Sequence, residues 1–89
     1  MKILLKANIG GEIIDCKGTI DIHWKNELQA YVSWKVFSST ATLVSKSENF
    51  HCTNENGSNA ELINRVKERI LSYRLGRKRV FEEVKIYQD

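Results

Sequence analysis

Apolar and polar residues alternate with a period of two through most of the first half of the chain. One alternating run covers residues 2–9, and a second extends to Trp24, with Gly10 and Gly11 between them. Such alternation places the apolar side chains on one face of a β-strand. Two adjacent glycines suit a two-residue hairpin turn. The pattern therefore predicts two antiparallel strands joined by a tight turn.

This turn also predicts how the two strands pair. Counting outward from the turn pairs Ile9 with Glu12, Ala7 with Ile14, Leu5 with Cys16, and Ile3 with Gly18. The apolar residues of both strands then share one face, and Lys6 meets Asp15 on the other face in a favourable cross-strand pair. A shift of one residue would expose every apolar side chain, so this register is strongly favoured.

A third alternating run, Leu28–Phe37, predicts a third strand. A three-residue loop at 25–27 keeps the apolar faces of the second and third strands together. With that loop Trp34 lies opposite Gly18, where its ring would cover backbone that the glycine leaves bare. Gly18 is alternatively explained as a bend in a long strand.

The next part of the chain is less regular. Residues 40–46 predict a weaker fourth strand, and the polar stretch 47–58 predicts a loop anchored by Phe50.

One helix follows this loop. Ser58 and Glu61 form a capping box, and Gly76 suits the left-handed residue that ends a helix. Between them, apolar residues recur at helical spacing at Leu62, Ile63, Val66, Ile70 and Tyr73. We expect a helix of about 16 residues, long enough to lie across three or four strands.

The tail is rich in β-branched and aromatic residues, and residues 79–87 predict a last strand. A second helix is the alternative, because Val80, Val84 and Tyr87 also suit helical spacing. The predicted fold is α+β: an antiparallel β-meander of about four strands plus a C-terminal strand, with one helix packed on one face. This β-β-β-β-α-β order forms a two-layer sandwich, and 89 residues supply one core, so residues 1–89 are predicted to form a single domain.

Composition narrows the functional classes. The chain is 42% hydrophobic with a net charge of +3, which argues against disorder. No apolar run approaches the roughly 20 residues of a membrane span, and Lys6 interrupts the short apolar stretch that follows Lys2, which argues against a signal peptide. Two cysteines do not make a disulfide scaffold, so we expect a reduced, cytoplasmic location.

Candidate catalytic and metal-binding residues are few. Cys16 alternates onto the apolar face, where a free cysteine is usually a small hydrophobic residue, and Cys52 would point away from its neighbour His51. Paired metal-ligand spacings are missing from the sequence. Gly10-Gly11 precedes no helix and is not a phosphate-binding loop. We expect a protein without catalytic residues, metal or cofactor.

Charge is unevenly distributed along the chain. Between Arg65 and Arg79 a single acid, Glu68, accompanies seven basic residues: Arg65, Lys67, Arg69, Arg74, Arg77, Lys78 and Arg79. Those on the helix flank the apolar stripe, where their stems can pack on the sheet while their charges stay in water. The triplet Arg77, Lys78 and Arg79 has no such packing role and is a candidate site for phosphate or an acidic protein surface.

The sheet face opposite the helix, here called the open face, is the second candidate site. It is predicted to carry basic residues interleaved with apolar and aromatic ones: Lys2, Leu4, Lys6, Ile13, Lys17, Tyr31, Lys35 and Phe37. Lys17 is predicted to lie opposite Lys35. Three explanations remain open: an ordinary solvated face, a protein-binding or dimer face, and a platform that stacks nucleic-acid bases.

These observations predict a small, non-enzymatic binding or regulatory protein that acts on a larger protein partner, for example an inhibitor encoded by a phage or mobile element. The alternative is a nucleic-acid-binding domain that uses the triplet 77–79 together with Lys17, Lys35, Tyr31 and Phe37. A homodimer is compatible with the thin core of so short a chain, and no membrane partner is expected.

Overall fold

The computed structural model describes residues 1–53 and 59–88. In chain order its elements are β1 (Lys2–Ile9), β2 (Glu12–Asn26), β3 (Gln29–Phe37), β4 (Thr42–His51), α1 (Ala60–Ser72), β5 (Arg74–Leu75), β6 (Lys78–Arg79) and β7 (Phe81–Tyr87). Five strands form an antiparallel sheet in the order β4-β3-β2-β1-β7. The helix packs on one face of this sheet, which confirms the predicted α+β sandwich.

The β1–β2 hairpin has the predicted register. Ile9 pairs with Glu12, and Ile3 pairs with Gly18 at the other end of the ladder. Gly10 and Gly11 both have positive φ, at 60° and 86°. This is the backbone that a tight hairpin turn between right-twisted strands requires.

The predicted β2–β3 register is wrong by two residues. Trp34 pairs with Ile20, and Val36 rather than Trp34 pairs with Gly18. The cause lies at the turn: β2 continues to Asn26, the ladder is irregular between Trp24 and Asn26, and the Asn26 side chain accepts a hydrogen bond of 2.8 Å from the Leu28 amide. Because the error is an even number of residues, the inward and outward faces of β3 are as predicted.

The fourth strand is longer than the sequence pattern indicated. It begins at Thr42, after a turn held by the Ser38 side chain, and ends at His51, so residues 47–51 are strand and not loop. Phe50 is buried as expected, but on a strand rather than in a loop. Among the strands of residues 1–53 and 59–88, β4 pairs with β3 alone and forms one edge of the sheet.

The helix is shorter than predicted. It covers Ala60–Ser72, and its capping position is Asn59, whose side-chain oxygen accepts a hydrogen bond of 3.0 Å from the indole of Trp24. Ser58, the predicted cap, lies outside the described residues. Gly76 does not end the helix: it has a positive φ of 67° in the turn between β5 and β6.

Residues 81–87 form a strand, which confirms the strand prediction for the tail over the helical alternative. This strand pairs with β1 rather than with β4, so the sheet joins the two ends of the chain. A bulge interrupts the pairing between Leu4 and Lys6, and Glu83 within it adopts left-handed backbone with φ 52°.

The core lies between the sheet and the helix. Leu62, Val66 and Ile70 of α1 are buried. They belong to one apolar cluster with the inward residues of the sheet, including Ile3, Ile20, Val32, Val36 and Phe81. The opposite face of the sheet is left without a second layer among the described residues.

Candidate functional site

The open face carries a compact group of basic and aromatic residues. On β1, Leu4 pairs with Lys17 on one side and with Lys85 on the other. Lys17 in turn pairs with Phe37. One row across four strands therefore reads Phe37, Lys17, Leu4 and Lys85, with neighbouring strands about 4.8 Å apart.

A second row runs parallel to the first, two residues along each strand. Lys2 pairs with Thr19 and with Tyr87, and Thr19 pairs with Lys35. The basic–aromatic patch is defined as the residues of these two rows other than Thr19: Lys2, Leu4, Lys17, Lys35, Phe37, Lys85 and Tyr87. It contains four lysines and two aromatic rings on a sheet surface.

The lysines of the patch have no acidic partner in the described parts of the chain. The ion pairs found there involve Lys6, Arg65 and Arg69 instead. Lys6 and Asp15 do lie opposite each other as predicted, but the Lys6 ammonium contacts Glu83, at 3.4 Å. Within residues 1–53 and 59–88, the lysines of the patch therefore carry positive charge that no ion pair neutralises.

The patch surface is indented rather than flat. A depression of about 400 Å³ is lined in part by Leu4, Lys17, Lys85 and Tyr87. A second depression, of about 420 Å³, is lined by residues that include Lys2, Thr19 and Phe37. These shallow, open depressions suit contact with flat groups laid along the sheet more than enclosure of a small molecule.

Five of the predicted open-face residues come together in the patch: Lys2, Leu4, Lys17, Lys35 and Phe37. Tyr31 does not: it pairs with His23 toward the other end of β3, and the Lys25 ammonium lies 5.8 Å from its ring centre. The predicted opposition of Lys17 and Lys35 is wrong, because it followed from the two-residue error in the β2–β3 register.

Lys85 and Tyr87 belong to the patch, although the sequence pattern does not predict them on the open face. Strict alternation along the tail places Phe81 on the same face as Lys85 and Tyr87. The bulge at Glu83 changes this phase, so that Phe81 and Val84 are buried while Lys85 and Tyr87 face outward. The unusual spacing of apolar residues at 81, 84 and 86 was the available signal, since a bulge inserts one extra residue into a strand.

The triplet Arg77, Lys78 and Arg79 lies in a different place, on a small hairpin formed by β5 and β6. All three residues are exposed, as is Leu75 in the same hairpin. The hairpin leads directly into Val80, whose carbonyl accepts a hydrogen bond of 2.7 Å from the Asn8 amide. Asn8 is four positions along β1 from Leu4, about 13 Å in a strand, so the triplet and the patch are separate surfaces.

The helical arginines are engaged in contacts within the protein. Arg65 forms an ion pair of 2.9 Å with Glu61. Arg69 pairs with Glu48 at 3.1 Å and lies over the ring of Phe50, 5.8 Å from its centre. The hydrogen bond and charge of Glu48 raise the pKa of the Arg69 guanidinium. These contacts agree with a packing role for the arginines beside the apolar stripe.

The cysteines contribute to the interior. Cys16 is buried on the inward face, and burial raises the pKa of its thiol, with a further increase from the charge of Asp15. Cys52 is also buried, and its thiol donates a hydrogen bond of 3.2 Å to Glu61. Over residues 1–53 and 59–88 there is no group of three His, Cys, Asp or Glu side chains with metal-binding geometry.

Comparisons with family models, curated proteins and solved structures gave no match to this chain. In the part of the chain that the structure describes, no helix has the length and hydrophobicity to cross a membrane.

Proposed function

We propose that the protein is a non-enzymatic binding module that holds single-stranded nucleic acid on its basic–aromatic patch. The observation that carries this proposal is the composition of the two rows, which hold four lysines together with the rings of Phe37 and Tyr87. None of these lysines forms an ion pair with a described residue. Proteins that bind single strands combine cations along the backbone with rings on which bases stack.

Two features favour this ligand over a protein at the same surface. Lysine is depleted at protein–protein interfaces, whose centres are aromatic and apolar. The seven residues of the patch also include no acid, so a ligand with phosphate groups meets no carboxylate among them, although Asp15 and Glu83 line the same depression as Lys17 and Lys85. An unpaired strand suits the patch better than a duplex, because only unpaired bases expose their faces for stacking.

Fluorescence anisotropy with labelled oligothymidine and oligouridine tests the proposal. Lys17→Gln with Lys85→Gln should weaken binding and reduce the slope of log affinity against log salt by about 0.7 for each phosphate that is no longer neutralised. The matched control is Lys25→Gln with Lys67→Gln, which removes the same charge away from the patch and should leave most of the slope intact.

Stacking is tested separately from charge. Phe37→Leu should cost about 1–3 kcal/mol of binding free energy because a stacking ring is removed, while the salt slope stays unchanged because no cation is removed. Urea unfolding of each variant confirms that the fold is retained. If the patch and control variants bind alike, or if the wild type binds neither oligonucleotide at low salt, the proposal is wrong.

The second candidate function is inhibition or regulation of a larger protein partner, the function that the sequence predicts first. It is supported by the β5–β6 hairpin, where Leu75 is 62% exposed beside Arg74, Arg77, Lys78 and Arg79. An exposed leucine with basic side chains around it is complementary in charge and hydrophobicity to a protein surface that has an apolar centre and acidic residues at its edge.

This candidate is tested by replacing Arg77, Lys78 and Arg79 together by serine. Loss of a nuclease-resistant partner from a lysate pull-down, with oligonucleotide binding unchanged, would favour the hairpin as a protein-binding site. Retention of every captured protein by this variant would count against that role.

A further inference from the structure

Strand β4 leaves one of its backbone edges without a neighbour in the described sheet. The Cys52 amide donates a hydrogen bond of 3.0 Å to the Leu28 carbonyl of the adjacent strand region. Hydrogen-bonded and non-hydrogen-bonded pairs alternate along an antiparallel ladder. The even-numbered residues from Val44 to Phe50 therefore direct their backbone groups toward β3, while Ser45, Ser47 and Asn49 direct theirs outward.

The side chains of this edge strand are self-complementary about Ser47. In an antiparallel pair of two identical strands centred there, Lys46 lies opposite Glu48 and Val44 lies opposite Phe50. Ser45 lies opposite Asn49. When the strand pairs with a copy of itself, opposite charges therefore face each other, and so do apolar side chains and polar side chains. Such self-complementarity is what an isologous interface requires.

We propose that two copies of this chain associate through antiparallel pairing of their β4 strands, with the twofold axis at Ser47. The outward backbone groups of Ser45, Ser47 and Asn49 supply the hydrogen bonds, as in other cases of β-strand addition. Lys46 faces the partner's Glu48 at a non-hydrogen-bonded position, where opposing side chains approach most closely.

The charges around β4 support a second copy as the occupant. Lys46 is exposed and has no ion-pair partner among residues 1–53 and 59–88, whereas Glu48 already contacts Arg69 at 3.1 Å. In the dimer each Glu48 lies between Arg69 of its own chain and the partner's Lys46. Two cross-chain pairs therefore form by symmetry, and the ion pair between Glu48 and Arg69 stays in place.

A cleft of about 210 Å³ separates β4 from the C-terminal half of α1 and is lined by residues that include Trp34, Val44, Ile70 and Tyr73. Lys46 and Glu48 also line this cleft. Pairing of the two β4 strands removes both exposed edges, which are otherwise prone to nonspecific association.

Charge reversal tests the pairing. Sedimentation equilibrium of the wild type should show a concentration-dependent monomer–dimer equilibrium between about 5 and 500 μM, the range expected for a weak interface. In a dimer of the Lys46→Glu variant, two carboxylates face each other at each of the two symmetry-related places where positions 46 and 48 meet. In a dimer of the Glu48→Lys variant, two ammonium groups face each other at the same places. Each variant alone should raise the dimer dissociation constant at least tenfold.

An equimolar mixture of the two variants provides the decisive measurement. Every position that is repulsive in either homodimer becomes attractive in the mixed dimer, so association should return in the mixture. Lys67→Glu and Glu68→Lys on the exposed side of α1 are the control pair and should dimerise as the wild type does. Circular dichroism checks whether the Glu48→Lys variant, which also loses the ion pair with Arg69, remains folded.

A wild type that stays monomeric over the whole concentration range overturns the proposal. So does dimerisation of Lys46→Glu with wild-type affinity, or a mixture that associates no better than its separate components. Since none of these measurements contains nucleic acid, their outcome is independent of the function proposed for the patch.

Discussion

Gly18 lies where the neighbouring backbone of β3 leaves no room for a side chain. A Cβ atom at this position would overlap the backbone carbonyl of Lys35 and come within 3.1 Å of the Ile3 side chain. Backbone atoms of a central strand cannot move aside as a flexible side chain can. The requirement for glycine here is therefore steric and does not depend on an unusual φ.

We expect Gly18→Ala to destabilise the fold by about 1–3 kcal/mol, the usual cost of overpacking a core. The midpoint of urea unfolding should fall while the slope of the transition stays the same. An unchanged midpoint would mean that β2 and β3 are farther apart at Gly18 than the structure indicates.

The β1–β2 hairpin is the element whose geometry follows most directly from local sequence. Nothing lies within 4 Å of a Cβ added at Gly10, so a substitution there is limited by the φ of 60° alone. Gly10→Ala should cost about 1 kcal/mol, because an alanine is strained in left-handed backbone. Gly10→Asn is the matched control and should be nearly neutral, since asparagine followed by glycine is favoured in this turn.

Thermal or urea unfolding of both variants measures the difference. Equal destabilisation by alanine and asparagine would indicate that the loss comes from the side chain itself and not from the backbone conformation.

At the scale of the whole molecule, the sheet depends on contact between the first and last strands of the chain. Strand β1 is central only because β7 covers its second edge. Phe81 of β7 is 1% exposed and its ring lies 5.6 Å from that of Tyr73. The last strand therefore completes the core as well as the sheet.

A chain that ends at Val80 should fail to fold, because it loses the buried side chains of Phe81 and Val84 and exposes the edge of β1. Deletion of these residues removes several kcal/mol from a domain whose total stability is about 5–15 kcal/mol. A chain that ends at Tyr87 is the control and should remain folded. A cooperative urea transition in the shorter chain would show that β7 is dispensable.

The sequence by itself determined the features that depend on neighbouring residues. Alternation predicted β1, β2 and β3 and their inward faces, because a strand fixes the side of every second residue. The glycine pair predicted the β1–β2 register. The apolar stripe predicted the buried face of α1, including Val66. Each of these features arises from backbone geometry within one element or one turn.

The wrong predictions for the turn after β2 and for residues 47–51 also come from relying on local sequence alone. The alternating pattern predicts a three-residue turn after β2, but the irregular pairing near Asn26 and the hydrogen bond of its side chain lengthen the connection. The polar sequence at 47–51 resembles a loop because β4 is an edge strand, and an edge strand is stabilised by backbone pairing with β3 without a continuous apolar face.

Only the tertiary structure decided which surfaces come together. The patch exists because β7 pairs with β1, which brings Lys85 and Tyr87 beside Leu4 and Lys2. Pairing between the first and last strands cannot be predicted from the local spacing of apolar residues. In addition, the bulge at Glu83 in β7 changes which face of the sheet the following side chains occupy. The sequence therefore determined β1, β2 and β3 and the faces of their side chains, whereas long-range pairing decided the candidate site, because a site on a sheet is built across strands.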